Sequence, residues 1–193
     1  RVLIEGPIDV HFKNVPRTIE LCRESKADEI WLLTSSDIES YKGVDKVFSK
    51  VSIFDTPLIY RSCDVIVKLS YVEGMFGPPL EMFHCGGTAI VYDVTGHDEY
   101  ISHNNNALVV KTGDEAKVVK FINNLKEDGE LLHRLKIGAL ETAKQWPDWT
   151  FQVDKFENSI FEICKGNSTS RRDLELRENF FGNWYYHHEI NIR

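Results

Sequence analysis

Residues 64–81 read D-V-I-V-K-L-S-Y-V-E-G-M-F-G-P-P-L-E. The first seven read as a strand, with Val65, Ile66, Val67 and Leu69 supplying the near-continuous apolar content needed by a strand covered on both faces. The last nine, E-G-M-F-G-P-P-L-E, set two glycines and two prolines between Glu73 and Glu81. Gly74 and Gly77 permit positive φ and close backbone approach. Pro78 or Pro79 fits the first turn of a helix, where a missing N–H costs little. Strand, glycine turn and helix start, in that order, make the βα unit of a parallel sheet.

The alternation repeats on both sides of this stretch. Residues 2–4 (V-L-I) read as a short strand leaving through Gly6-Pro7. Asn14 is placed to cap a helix holding Ile19, Leu21 and Cys22. Residues 30–34 (I-W-L-L-T) form a buried strand, and residues 47–54 alternate in strand fashion. Pro57 opens a helix through Tyr60 and Cys63. Beyond the turn, residues 80–85 predict a helix stopped by Gly86-Gly87. Residues 88–92 (T-A-I-V-Y) predict a strand, residues 98–102 a helical turn and residues 107–110 a further strand. From Glu115 the period becomes helical, with Val118, Phe121, Ile122 and Leu125 on one face. Leu131, Leu132, Leu135 and Leu140 repeat it, and a third helix over 151–164 follows the W-P-D-W turn.

The pattern predicts an α/β fold: a Rossmann-like doubly wound parallel sheet over residues 1–165, with C-terminal helices. Residues 166–170 (G-N-S-T-S) read as a linker. Residues 171–193 read as a separate, aromatic-rich tail that packs on another domain or begins the next one. A chain that starts inside a strand, without Met, is expected to be a piece of a longer protein.

Composition narrows the function. The chain has 193 residues, 42% hydrophobic and 27% charged, as in ordinary globular proteins. A net charge of −7 disfavours a general nucleic-acid binder, which needs a basic face. It leaves room for a small anionic ligand, which one lysine and a helix N-terminus can hold. No apolar run approaches the roughly 20 residues of a membrane-spanning helix. The four cysteines are scattered without a C-x-x-C pair, which suits small buried side chains in a reducing compartment. The seven histidines show no H-x3-H spacing and there is no D-x-D, so no metal site is expected.

Parallel sheets bind ligands beyond the C-terminal ends of their strands, and residues 73–81 lie at such an end. Exposed N–H groups of the turn make an anion site. Glu81, one turn into the helix, suits the two hydroxyls of a ribose diol. Glu73, at the strand end, suits a sugar ring or a developing positive charge. Carboxylate, N–H cradle and carboxylate together suit a nucleoside diphosphate sugar. The bland alternative makes Glu81 a first-turn acid favoured by the helix dipole and Glu73 a solvated loop residue.

E-G-M-F-G-P-P-L-E also resembles the E-x7-E signature of retaining glycosyltransferases with the GT-B fold, glycosyltransferase group 1. The resemblance extends to Y-R-S-C-D (60–64), C-G-G-T-A-I-V (85–91), T-G-H-D-E-Y-I (95–101), N-A-L-V-V (106–110) and the W-x-x-W ending at Trp146 and Trp149. It runs from about residue 2 to 164. It implies the C-terminal, donor-binding domain of a two-domain enzyme, its N-terminal acceptor-binding partner lying outside this chain.

The resemblance implies Glu73 at the donor sugar as the catalytic carboxylate and Glu81 on the ribose. It implies Gly74, Met75, Phe76 and Gly77 around the sugar and diphosphate, with Thr95 and Gly96 on the phosphate side. Lys13, in F-K-N, matches the basic residue facing the diphosphate, and the base belongs near Ser49, Lys50 and Val51. The donor is a UDP or GDP sugar, with no metal or other cofactor. The enzyme would be a hexosyltransferase of glycan or polysaccharide synthesis. It would be cytoplasmic, with peripheral contact at the inner face of a membrane left open. Two departures stand out: G-P-I-D-V-H-F-K-N lacks the family's arginine, and G-M-F-G-P replaces G-F-G-L-P. The alternatives are a nucleotide-sugar epimerase of the same fold and a non-catalytic Rossmann-like module.

Overall fold

The computed structural model describes residues 1–146 and 148–164. The expected linker and tail lie outside the described residues. Two compact units divide the chain, Arg1–Trp146 and Pro147–Arg193.

The first unit is a six-stranded parallel sheet. Its strands are β1 (Val2–Glu5), β2 (Ile30–Thr34), β3 (Lys46–Ser49), β4 (Val65–Lys68), β5 (Thr88–Tyr92) and β6 (Ala107–Val110). Their order is β3-β2-β1-β4-β5-β6, with every pair parallel. The chain winds outward from β1 to β3, returns, and winds the other way from β4 to β6. Between β1 and β4 the winding therefore reverses, and a crevice opens beyond their C-terminal ends.

Helices α1 (Val15–Glu24), α2 (Thr56–Arg61), α3 (Gly77–His84), α4 (Glu115–Glu127) and α5 (Gly129–Gln145) cover the sheet. Right-handed crossovers put α1 on one face and α2 and α3 on the other. The observed neighbours agree: α1 packs on α4, while α3 packs on α2 and α5. All of β4 and β5 is buried, which explains their mainly apolar sequence, Lys68 and Thr88 being the polar exceptions. Leu3, Ile66 and Ile90 are fully buried at the sheet centre. Each such side chain contributes about 1.5–3 kcal/mol relative to exposure. Asp114 and Asp128 cap α4 and α5 by accepting from the Lys117 and Leu131 N–H groups. In the second unit, α6 (Trp149–Cys164) starts with the Asp148 carboxylate accepting from the Phe151 N–H at 2.9 Å.

Four local expectations change. The strand expected over 47–54 ends at Ser49, because Lys50 turns to φ 51° and breaks the extended run. The helix containing Pro57 ends at Arg61, not Cys63. Of residues 98–102 only 98–100 form turns, closed by the Ile101 N–H on the His97 carbonyl at 2.8 Å, and no helix develops. Asn14 stands at the N-cap of α1 without capping it. Its backbone is left-handed at φ 55°, and its side-chain amide instead donates to the Leu69 carbonyl at 3.1 Å. That bond ties the loop after β1 to the segment after β4.

Candidate functional site

The loops leaving β1 and β4 meet at the reversal point. The Tyr71 N–H donates to the Phe12 carbonyl at 2.8 Å, beside the Asn14–Leu69 link. A single 3₁₀ turn, His11–Lys13, then delivers Lys13 over the end of β4. The Lys13 ammonium donates to both Glu73 carboxylate oxygens, at 2.9 and 2.8 Å.

Beneath this pair lies a charge that the motif reading did not find. Lys68, the last residue of β4, has a side chain only 2% exposed. Its ammonium donates to the Glu5 carboxylate at 2.6 Å and to the Glu5 carbonyl at 3.1 Å. It also stands 3.8 Å from the Glu73 carboxylate. Glu5, Lys68, Glu73 and Lys13 thus alternate in sign through the floor of the crevice. A buried ammonium needs this many acceptors, since desolvation without them costs several kcal/mol. A signal was present: a lysine inside V-I-V-K-L-S is rarely buried without a partner.

The turn from Glu73 to Gly77 is held from behind by the loop after β5. Thr95 donates its hydroxyl to the Glu73 carbonyl at 3.1 Å. Tyr100, itself buried, donates its hydroxyl to the Phe76 carbonyl. Burial pushes the Tyr100 phenol well above its ordinary range. Asn106 fixes Tyr100 by donating to its carbonyl at 2.7 Å. The Gly77 N–H folds back on the Met75 carbonyl at 3.0 Å, and Pro78 and Pro79 have no N–H to offer. The N–H groups of Gly74, Met75 and Phe76 have no hydrogen-bond acceptor among the described residues. The free donors are therefore those of the turn just before α3, a geometry suited to an anion, more than those of the helix itself.

Glu81 is exposed on the first turns of α3. It lines an open cavity of about 250 Å³ together with Lys50, Val51, Thr34, Tyr60 and Glu5. The Tyr60 phenol is pushed far up, first by burial and then by the negative charges of Glu81 and Glu5. Two of the three residues expected at the base thus share a cavity with the residue expected at the ribose. Ser49 stands apart from the cavity lining: its hydroxyl donates to the Ser36 carbonyl at 2.8 Å and holds the loop between β2 and β3. Among the described residues, no group of three His, Cys, Asp or Glu side chains forms a metal site. No described helix is long and apolar enough to cross a membrane.

The model for glycosyl transferases group 1 matches residues 34–142. The chain belongs to this family. Comparison with curated protein sequences gives no match. Among solved structures, this group 1 chain is similar to Anabaena HepE in complex with UDP and glucose. That likeness has a TM-score of 0.72 and 16% identity over 83% of this chain and 48% of that one. It is similar to sucrose-phosphate synthase of Thermosynechococcus elongatus, at TM-score 0.70 and 17% identity over 84% of this chain and 46% of that one. It is also similar to the C-terminal domain of the group 1 protein LpcC from Francisella tularensis. There the TM-score is 0.62 and the identity 18%, over 74% of this chain and 83% of that domain. The group 1 chain spans about half the length of the first of these structures.

Proposed function

We propose that this chain is the donor half of a glycosyltransferase. It binds a nucleoside diphosphate sugar, and a second domain brings the acceptor hydroxyl. The observation that carries the reading is the crevice at the β1/β4 reversal. There Glu73 and Glu81 flank a turn with free N–H groups, and Lys13 lies across it. The cavity holding Glu81, Lys50 and Val51 takes ribose and base. The turn N–H groups and Lys13 take the diphosphate, and Glu73 faces the sugar. UDP is the first donor base to try, because HepE is solved with UDP and glucose.

In this reading the glycosidic bond to the diphosphate breaks as the acceptor oxygen attacks the anomeric carbon from the same face. The acceptor proton passes to the departing diphosphate oxygen, so configuration is retained. Charge gathers on the leaving diphosphate and is met by Lys13 and the N–H groups, the largest contribution to rate. Lys13 thereby takes the electrostatic part that a divalent ion plays elsewhere, and the reaction runs without metal. Glu73 balances positive charge developing on the sugar. The product belongs to glycan or polysaccharide synthesis on the cytoplasmic side of a membrane.

Calorimetric titration with UDP, GDP and their glucose and mannose conjugates tests the reading. We expect one nucleotide to bind and Glu81→Ala to weaken it roughly tenfold or more, as loss of a bidentate charged acceptor requires. Binding that ignores Glu81→Ala, or no binding in the presence of the full-length protein's other domain, would sink it.

A further inference from the structure

Lys68 is the charged residue that the proposed reaction leaves without a task. It is also the one charged residue buried as a whole, backbone and side chain together, among the described residues. Two of its three N–H donors rest on Glu5, at 2.6 and 3.1 Å. The remaining donor has Glu73 as its nearest other carboxylate, 3.8 Å away. The Glu73 side chain is 7% exposed and that of Lys13 23%, so the Glu73 carboxylate stands between a buried cation and one nearer the solvent.

The donor reading, on which this inference rests, asks Lys13 for two things. Its ammonium holds both oxygens of Glu73, and it must also face the diphosphate. With two of its three N–H donors on the Glu73 oxygens, the Lys13 ammonium has one left for the diphosphate, and turning a second to phosphate takes it from Glu73. Glu73 would then be left buried without a cation, a state that turns a carboxylate toward water. Lys68 removes that difficulty. Four rotatable bonds let its ammonium cross the last ångström while Glu5 holds it from behind.

We propose that Lys68 is the positioning residue of Glu73. As Lys13 moves to the diphosphate, Lys68 closes on the Glu73 carboxylate and keeps it aimed at the sugar. No arginine on the loop after β1 is needed for this, because the second positive charge comes up from β4.

The first test needs no ligand. In Lys13→Met of the full chain, a crystal structure is expected to show Lys68 Nζ at hydrogen-bond distance from Glu73, with that carboxylate in place. Glu73 turned to solvent, with Lys68 left on Glu5 alone, would overturn the proposal. The second test compares UDP and UDP-glucose affinities in the wild type and Lys68→Met. The loss for UDP-glucose should exceed the loss for UDP by roughly fivefold or more, since Glu73 serves the sugar. Equal losses would also overturn it. If Lys68→Met fails to fold, the Lys13→Met structure decides alone. If the wild type binds neither ligand, the donor reading fails, and that structure still judges the hold of Lys68 on Glu73.

Discussion

Lys13 and Glu73 are 60 residues apart in sequence and form a two-pronged ion pair in the crevice, at 2.9 and 2.8 Å. Under the proposed function, a diphosphate has to compete with the Glu73 carboxylate for the same ammonium. The glutamate proposed to serve the sugar would then oppose the nucleotide in the ligand-free protein.

The first prediction is a split between two substitutions. Glu73→Gln frees Lys13 and removes a negative charge, so UDP should bind about three- to tenfold tighter, a gain of roughly 1 kcal/mol. Lys13→Ala should weaken UDP about tenfold and leave uridine nearly unchanged. Titration of UDP and uridine into both variants checks this. No tightening in Glu73→Gln would mean that the ion pair does not gate the site.

The second prediction concerns the support of the turn. A Cβ on Gly96 would come within 1.7 Å of the Gly74 carbonyl oxygen, and Gly96 has φ 84°. Gly96→Ala therefore has to displace the turn that carries Glu73. We expect about 2–4 kcal/mol of destabilisation with loss of UDP binding. Gly113, at φ 86°, has open space around it, and Gly113→Ala should cost only about 1 kcal/mol and spare binding. Urea denaturation of both variants, with UDP titration, separates backbone strain from collision.

Tyr100→Phe tests the same turn from the other side. It removes the hydroxyl that meets the Phe76 carbonyl but keeps the ring, which packs edge-on against Phe83 and Trp146. The buried carbonyl loses a partner, so about 1–2 kcal/mol of stability should go. Amide exchange should rise at residues 74–77 ahead of the sheet. Uniform loosening throughout the first unit would show that Tyr100 acts only through its ring.

The sheet was legible because burial on both faces demands near-continuous apolar runs, and I-W-L-L-T, V-I-V and T-A-I-V-Y supply them. The reversal point was legible through E-G-M-F-G-P-P-L-E, whose glycines and prolines fix a turn and a helix start whatever else surrounds them. Local chemistry carried less where a tertiary contact competed. Asn14 had the side chain of a cap, and the Leu69 carbonyl took it. The alternation past Ser49 continued in sequence, but edge strand β3 pairs on one side only, and the turn at Lys50 ended it. Glu5 and Lys68 went unseen for a different reason. Each looks like a stray charge at a strand end, and only adjacency of β1 and β4 makes them partners. Short motifs do not record which strands are neighbours.

The last prediction is a pH dependence away from the crevice. The Asp45 carboxylate accepts from the Ile30 N–H at 2.8 Å and from Arg23 at 2.9 Å, pinning the start of β2 to the turn before β3. The Ile30 N–H holds its pKa below the ordinary carboxylate value, against partial burial and with help from Arg23. A carboxylate whose pKa is lower folded than unfolded stabilises the fold above its unfolded value of about 4. That contribution is lost as pH falls through the lower, folded value. Asp45 is 36% exposed, so solvent screening limits it to under about 1 kcal/mol at neutral pH. Asp45→Asn should cost this much at pH 7. The gap to the wild type should narrow steadily below pH 4, as both carry a neutral group there. Urea midpoints of the two proteins at pH 7, 5, 4 and 3 give the difference directly. A gap that stays constant across this range would assign the role of Asp45 to its shape and not to its charge.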